Sequence, residues 1–178
     1  MNPMAYGGMY ITGGADTQAM TTTAGAMVSW SEAGGANAVS DSNARDGDPA
    51  IIPDKANNRI KLNTPGVYLV SFDLAGLATT GCNVAAQLRK NGVVVTGAKG
   101  LGIFSTTNGA VSFQSIVEVT RSDSPGTLPT FADPASTGFA GAGGAPKTEC
   151  ALDVVLSILT STDTLTLVEA HLNVIRLR

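Results

Sequence analysis

Asn58-Arg59-Ile60-Lys61-Leu62-Asn63-Thr64-Pro65-Gly66-Val67-Tyr68-Leu69-Val70-Ser71-Phe72 decides the fold class. Arg59 to Leu62 alternate polar and apolar. Asn63-Thr64-Pro65-Gly66 is turn chemistry, with Pro pre-setting φ and Gly free to take φ > 0. From Val67 to Leu74 the alternation resumes. Tyr68, Val70, Phe72 and Leu74 make one wholly apolar face, and Val67, Leu69, Ser71 and Asp73 make a mixed one. A period of two is the mark of a half-buried strand, not of a helix.

The same period extends outward from this stretch. Residues 83–90 put Val84, Ala86 and Leu88 on one side and Asn83, Gln87 and Arg89 on the other. Asn91-Gly92 follows and separates two strand-like runs, which predicts a hairpin. A type I′ turn needs φ > 0 at both central residues, and Asn-Gly supplies it. Ala110 to Thr120 is a further strand, with Val111, Phe113, Val117 and Val119 facing one way. Residues 151–159 and 164–168 read as a pair around the turn Thr160-Ser161-Thr162-Asp163, and His171 to Arg178 as the last strand. Toward the N-terminus, short apolar patches predict strands near Met9 and Met27. Residues 121–149 carry Pro125, Pro129, Pro134, Pro146 and five glycines and have no periodic pattern. A connection of that length is uncommon in a compact domain and is usually functional or mobile. The chain therefore divides into residues 1–54, a partly extended N-terminal arm with the first short strands, and residues 55–178, the main domain with its long loop. Eight or so strands and no credible helix indicate an all-β, antiparallel sandwich or barrel.

Composition agrees. The 178 residues suit one domain. Ala, Gly, Thr and Ser make up 78 of them, while charged residues are 14% and aromatics 5%. Small uncharged side chains favour thin strands and close backbone approach. A mean hydropathy of +0.16 argues against wholesale disorder. A net charge of −3 argues against nucleic-acid binding, which usually shows a basic excess. The charge is uneven: residues 1–54 hold six acids and one base. No apolar run approaches the roughly 20 residues of a membrane helix. The opening MNPMAYGGMYITGG has neither the basic region nor the apolar run of a secretory signal, so the expectation is a chain made in a reducing cytoplasm. Cys82 and Cys150 form no disulfide framework, and two free thiols are the plainer expectation.

Residues 58–72 resemble the C1q/TNF-like jelly-roll superfamily, where a strand, a Pro-Gly turn and a Gly-x-Tyr-x-x-x-Phe strand recur. The hairpin around Asn91-Gly92 extends the resemblance. So do the strand, acid-bearing turn and strand of Leu156 to Leu167, and the closing Glu169 to Leu177. The resemblance covers roughly residues 58–120 and 150–178. It implies an antiparallel jelly-roll β-sandwich and a tight homotrimer with a central apolar seam. Two features depart from secreted members: the early glycines have no Gly-X-Y period, and no signal segment is present. A small-residue-rich jelly roll of this size, made in the cytoplasm, is similar to structural proteins of tailed bacteriophages, and by size to their trimeric cement (decoration) proteins. That step is fold-level analogy.

Candidate chemistry is sparse. His171 is the single histidine. A catalytic base would need a nucleophile or an orienting acid beside it, and zinc would need further ligands. The plainer reading is a strand histidine, packed or hydrogen-bonded near a subunit seam. Cys82 or Cys150 as a nucleophile would need a matched histidine and an activated thiol. Asp41-Ser42-Asn43-Ala44-Arg45-Asp46-Gly47-Asp48 is oxygen-rich, but Arg45 interrupts it and no Glu closes it, so a solvated turn is favoured over a calcium loop. Gly138 to Gly144 is not followed by the Gly-Lys-Ser/Thr of a phosphate loop, and no helix is expected to start there. No cofactor, metal or catalytic set is expected. The partner-binding candidates are Met9, Tyr10, Trp30, Phe131 and Phe139, apolar or aromatic residues in loop-rich or arm-like surroundings; the aromatics Trp30, Phe131 and Phe139 equally read as caps on the ends of the sandwich, and for Trp30 the core is the favoured reading.

These readings give a functional expectation: a homotrimeric, non-enzymatic structural protein of a virion. It would bind the major capsid protein on the capsid exterior and contact neither nucleic acid nor membrane. The alternative is a receptor- or glycan-binding head of a phage fibre or bacterial surface protein, with loop 121–149 as the recognition surface.

Overall fold

A computed structural model describes residues 5–13, 18–20, 25–37, 50–120, 150–159 and 163–177. Its strands are β1 (Tyr6–Ile11), β2 (Gln18–Met20), β3 (Ala26–Met27), β4 (Glu32–Asn37), β5 (Ile51–Asp54), β6 (Arg59–Leu62), β7 (Gly66–Ala78), β8 (Cys82–Lys90), β9 (Val93–Phe104), β10 (Ala110–Val119), β11 (Cys150–Ile158) and β12 (Leu165–Arg176). Among the described residues no helix is long and apolar enough to cross a membrane.

Two antiparallel sheets result. Sheet A has the order β10-β7-β12-β1-β4, with β2 added on β12. Sheet B has the order β5-β6-β11-β8-β9, with β3 added on β11. The expected all-β jelly-roll sandwich is the observed fold. Tyr68, Val70, Phe72 and Leu74 point inward from β7, as their alternation required, and Val84, Ala86 and Leu88 do so from β8. Phe72 stacks on Phe113 at 5.2 Å between ring centroids and meets the edge of Trp30 at 6.4 Å. The β8–β9 hairpin turns on Asn91 (φ 51°) and Gly92 (φ 80°), both left-handed as expected.

Three local expectations are corrected. Residues 151–159 and 164–168 do not pair with each other: β11 lies in sheet B and β12 in sheet A. Residues 164–168 and 171–178 are not two strands but one, β12. The ladder with β7 shifts register between Leu167 and Glu169, which breaks the period of two and disguises the continuity. Gly66 is absent from the positive-φ glycines and already belongs to β7, so the Pro-Gly turn leads from one sheet to the other without a left-handed glycine.

The opening segment is built into the sandwich. β1 pairs with both β12 and β4, and Met9 and Ile11 have no solvent exposure. Edge strand β9 of sheet B lies close against edge strand β10 of sheet A. A Cβ on Gly102 would stand 2.3 Å from the Ala110 carbonyl oxygen, and one on Gly100 2.5 Å from that of Ser112. Only glycine allows that approach.

Asp163 ties the other end. Its carboxylate accepts hydrogen bonds from the backbone N–H groups of Thr79, Thr80, Gly81 and Thr164 and from the Thr80 hydroxyl, at 2.6–3.2 Å. Burial pushes this carboxyl's pKa up, but those donors outweigh it and hold the pKa below the usual carboxylate value. Cys82 and Cys150 are both buried free thiols. The β8–β11 ladder runs from Val84 opposite Ile158 to Lys90 opposite Leu152, so the two cysteines sit at opposite ends of it. Burial, then the Asp163 charge, push the Cys82 thiol up, away from reactivity.

Candidate interaction surface

Period two also decides what the sandwich shows to solvent. On sheet A the outward residues fall into rows across the strands. One row is apolar: Tyr6, Ile175, Leu69 and Ile116 stand in register on β1, β12, β7 and β10. Ile116 is 65% exposed and Tyr6 44%. Four residues along β7, a second row holds Tyr10, His171, Asp73 and Ser112.

The second row is a hydrogen-bonded cluster. His171 Nδ1 lies 2.7 Å from Asp73 Oδ2, and Nε2 lies 3.6 Å from Glu169 Oε1. The Tyr10 ring packs edge-on against the imidazole at 5.6 Å, and its hydroxyl donates to Asn173 Oδ1 at 3.4 Å. A Cβ on Gly8 would collide with the Tyr10 hydroxyl, so that glycine leaves the space in which the phenol lies. Beyond Tyr10, Glu32 accepts a hydrogen bond from the Thr12 hydroxyl. Among the described residues the outer face of sheet A carries Asp73, Glu169, Glu32 and Glu118 but neither lysine nor arginine.

Sheet B is different. Its outer face holds basic residues, and its acids are paired with them. Asp54 receives Lys61 at 2.9 Å and Arg59 at 3.3 Å. Asp153, which is buried, receives Arg89 Nε at 2.6 Å. Desolvation pushes the Asp54 carboxyl up, but hydrogen bonds from Lys61, Asn57 and Arg59 overcome it and bring its pKa down to about 2. At the edge of this face, Lys99, Leu101 and Ile103 point outward from β9. Leu101 is 67% exposed and Ile103 79%. The glycines between them face inward onto β10, so the strand is amphipathic with its large side chains outside.

The sequence-predicted residues are distributed unevenly. Tyr10 lies half-buried on the outer face of sheet A. Met9 and Trp30 face the core, and the Trp30 indole N–H has no partner among the described residues. Phe131, Phe139, the Asp41 to Asp48 cluster and Gly138 to Gly144 lie outside the described residues. His171 is a hydrogen-bonded strand histidine. Among the described residues no three His, Cys, Asp or Glu side chains gather as a metal site. Sequence reasoning missed Leu101, Ile103 and Ile116. The signal was present in Lys99-Gly100-Leu101-Gly102-Ile103, where glycine alternates with large residues, but it resembles a weak strand unless the glycines are known to face inward.

The fold is similar to that of Eiger TNF from S. frugiperda, with a TM-score of 0.60 at 12% identity, covering 99% of this chain and 94% of that one. It is also similar to murine APRIL at pH 5.0, with a TM-score of 0.52 at 6% identity, covering 97% and 99%. At these identities the likeness is one of fold: a TNF-like jelly roll. No protein-family model matches the sequence, and no curated protein matches it.

Proposed function

We propose that this protein is a homotrimeric, non-enzymatic jelly-roll binding module, and that it serves as a cement (decoration) protein on the exterior of a phage capsid. One observation carries the trimer. The chain shows two exposed apolar patches on different surfaces: Leu101 and Ile103 on β9, and Tyr6 with Ile116 on the outer face of sheet A. Two unlike patches make a heterologous contact, and a heterologous contact that closes makes a ring. The TNF-like fold and the trimer implied by the superfamily resemblance support a ring of three.

The capsid reading adds the composition. A chain with only 14% charged residues and 78 Ala, Gly, Ser and Thr suits contact with a preassembled lattice, and three copies acting together multiply a weak site by avidity. The protein would be made in the host cytoplasm and bind the major capsid protein.

Light scattering at several concentrations tests the trimer: a mass of three times 18.0 kDa supports it, and a monomer overturns it. Cosedimentation with undecorated capsids of the same virus tests the cement reading. Saturable binding and a raised capsid disruption temperature are expected. A trimer that leaves capsids bare but binds host-cell surfaces or glycans would replace it with the fibre-head reading.

A further inference from the structure

We infer that Lys99 of one copy is the cation that answers the Asp73–His171–Glu169 cluster of the next, and that this contact sets the register of the trimer seam. The inference rests on the trimer proposed above. It begins from an imbalance. The outer face of sheet A presents four carboxylates and, among the described residues, neither lysine nor arginine. In the monomer Asp73 and Glu169 share one imidazole, and each carboxylate side chain is 57% exposed.

On sheet B the opposite holds. Arg59 and Lys61 serve Asp54, Arg89 serves Asp153, and Lys90 donates to the Glu118 carbonyl; Arg176, on β12 of sheet A opposite inward-facing Tyr68, donates to the Pro65 carbonyl. Lys99 is the one strand-borne cation among the described residues with neither a carboxylate nor a carbonyl partner. It lies on the same side of β9 as Leu101 and Ile103.

The spacings match. On β7 the apolar row at Leu69 and the acidic row at Asp73 are four residues apart. On β9 Ile103 and Lys99 are also four residues apart. At roughly 3.3 Å per residue both spans are about 13 Å. Laying the β9 ridge of one copy on sheet A of its neighbour places Ile103 over Tyr6, Leu69, Ile116 and Ile175. The same placement brings Lys99 to Asp73, His171 and Glu169. Ile103 meets the apolar row and Lys99 the acidic one in one register, with Leu101 between them over the row of Gly8, Asn173, Ser71 and Gln114. A slip of two residues along the strand would set Lys99 over the uncharged middle row of Gly8, Asn173, Ser71 and Gln114. Charge complementarity at a seam of this kind selects the register and the partner.

Charge reversal tests this with the full chain. Lys99→Glu and Glu169→Lys are each expected to raise the concentration for half-dissociation of the trimer about tenfold or more, read by light scattering at low salt. The double variant, which restores opposite charges, is expected to return it to within about threefold of the parent. Lys99→Gln should fall between the parent and Lys99→Glu. Unfolding in urea, followed on each variant, establishes that the single substitutions act on assembly and not on the fold. Single reversals that leave dissociation unchanged, or a double variant no better than the worse single, overturn the inference while the trimer stands. A parent chain that is monomeric at every concentration overturns the trimer itself.

Discussion

The outer faces of the two sheets treat their carboxylates differently. On sheet B each strand-borne acid among the described residues has an arginine or lysine on a neighbouring strand: Asp54 has Lys61 and Arg59, and Asp153 has Arg89. On sheet A, Asp73 and Glu169 have one histidine between them, and Glu32 has a threonine hydroxyl. Sheet B closes its electrostatics within the chain. Sheet A leaves them open beside an exposed apolar row. A face completed from within contributes to folding, and a face left open is available to a second molecule.

That contrast is open to direct tests on the isolated fold. Arg89→Met should have the largest effect. It leaves Asp153 almost buried without its cation, and breaking such a pair costs about 2 kcal/mol or more. A urea midpoint equal to that of the parent would show that sheet B does not depend on its ion pairs. Asp54→Asn should come next, and its effect should depend on pH. The folded pKa of Asp54, about 2, lies below the usual 3.8, so its contribution is present above about pH 3.8 and is lost as pH falls through 2. The parent should therefore be more stable than Asp54→Asn at neutral pH, and the two should converge near pH 2. Parallel stability curves across that range would break the assignment.

Asp73→Asn should change the stability of the folded chain by less than about 1 kcal/mol, because the pair it disrupts is exposed. A larger loss would mean that sheet A is also electrostatically self-sufficient. Ile116→Ser and Ile103→Ser should have the smallest effect on the chain's own fold, within about 0.5 kcal/mol, since neither side chain is in the core.

Much of the fold was legible in residue order, and for a local reason. The inward faces of β7, β8 and β10 follow from period two, and the β8–β9 turn follows from Asn91-Gly92. The legibility failed where periodicity was interrupted or said nothing about partners. The shift between Leu167 and Glu169 made β12 read as two strands. The glycines of β9 made an amphipathic strand look featureless. The turn at residues 160–163 looked like a hairpin because a turn sequence states that the chain reverses, not which sheet receives it. The candidate surface was less legible still. Of the residues singled out there, Tyr10 lies on the outer face of sheet A, Met9 is in the core, and Trp30 is in the core as its packing reading had it. Exposure of an apolar residue depends on what covers it, and that is not a local property.

By itself the amino-acid order determined an antiparallel β-sandwich, the inner faces of its main strands and the position of its tightest turn, since each rests on residues two to four apart. Tertiary structure alone decided that β6 and β7, and again β11 and β12, belong to opposite sheets. It also brought Asp73 to His171, 98 residues away, and laid β9 on β10 at the distance that Gly100 and Gly102 permit. The reason is physical: side-chain alternation is set by the backbone of one strand, whereas ladder partners, coverage and charge pairing are set by strands distant in the chain.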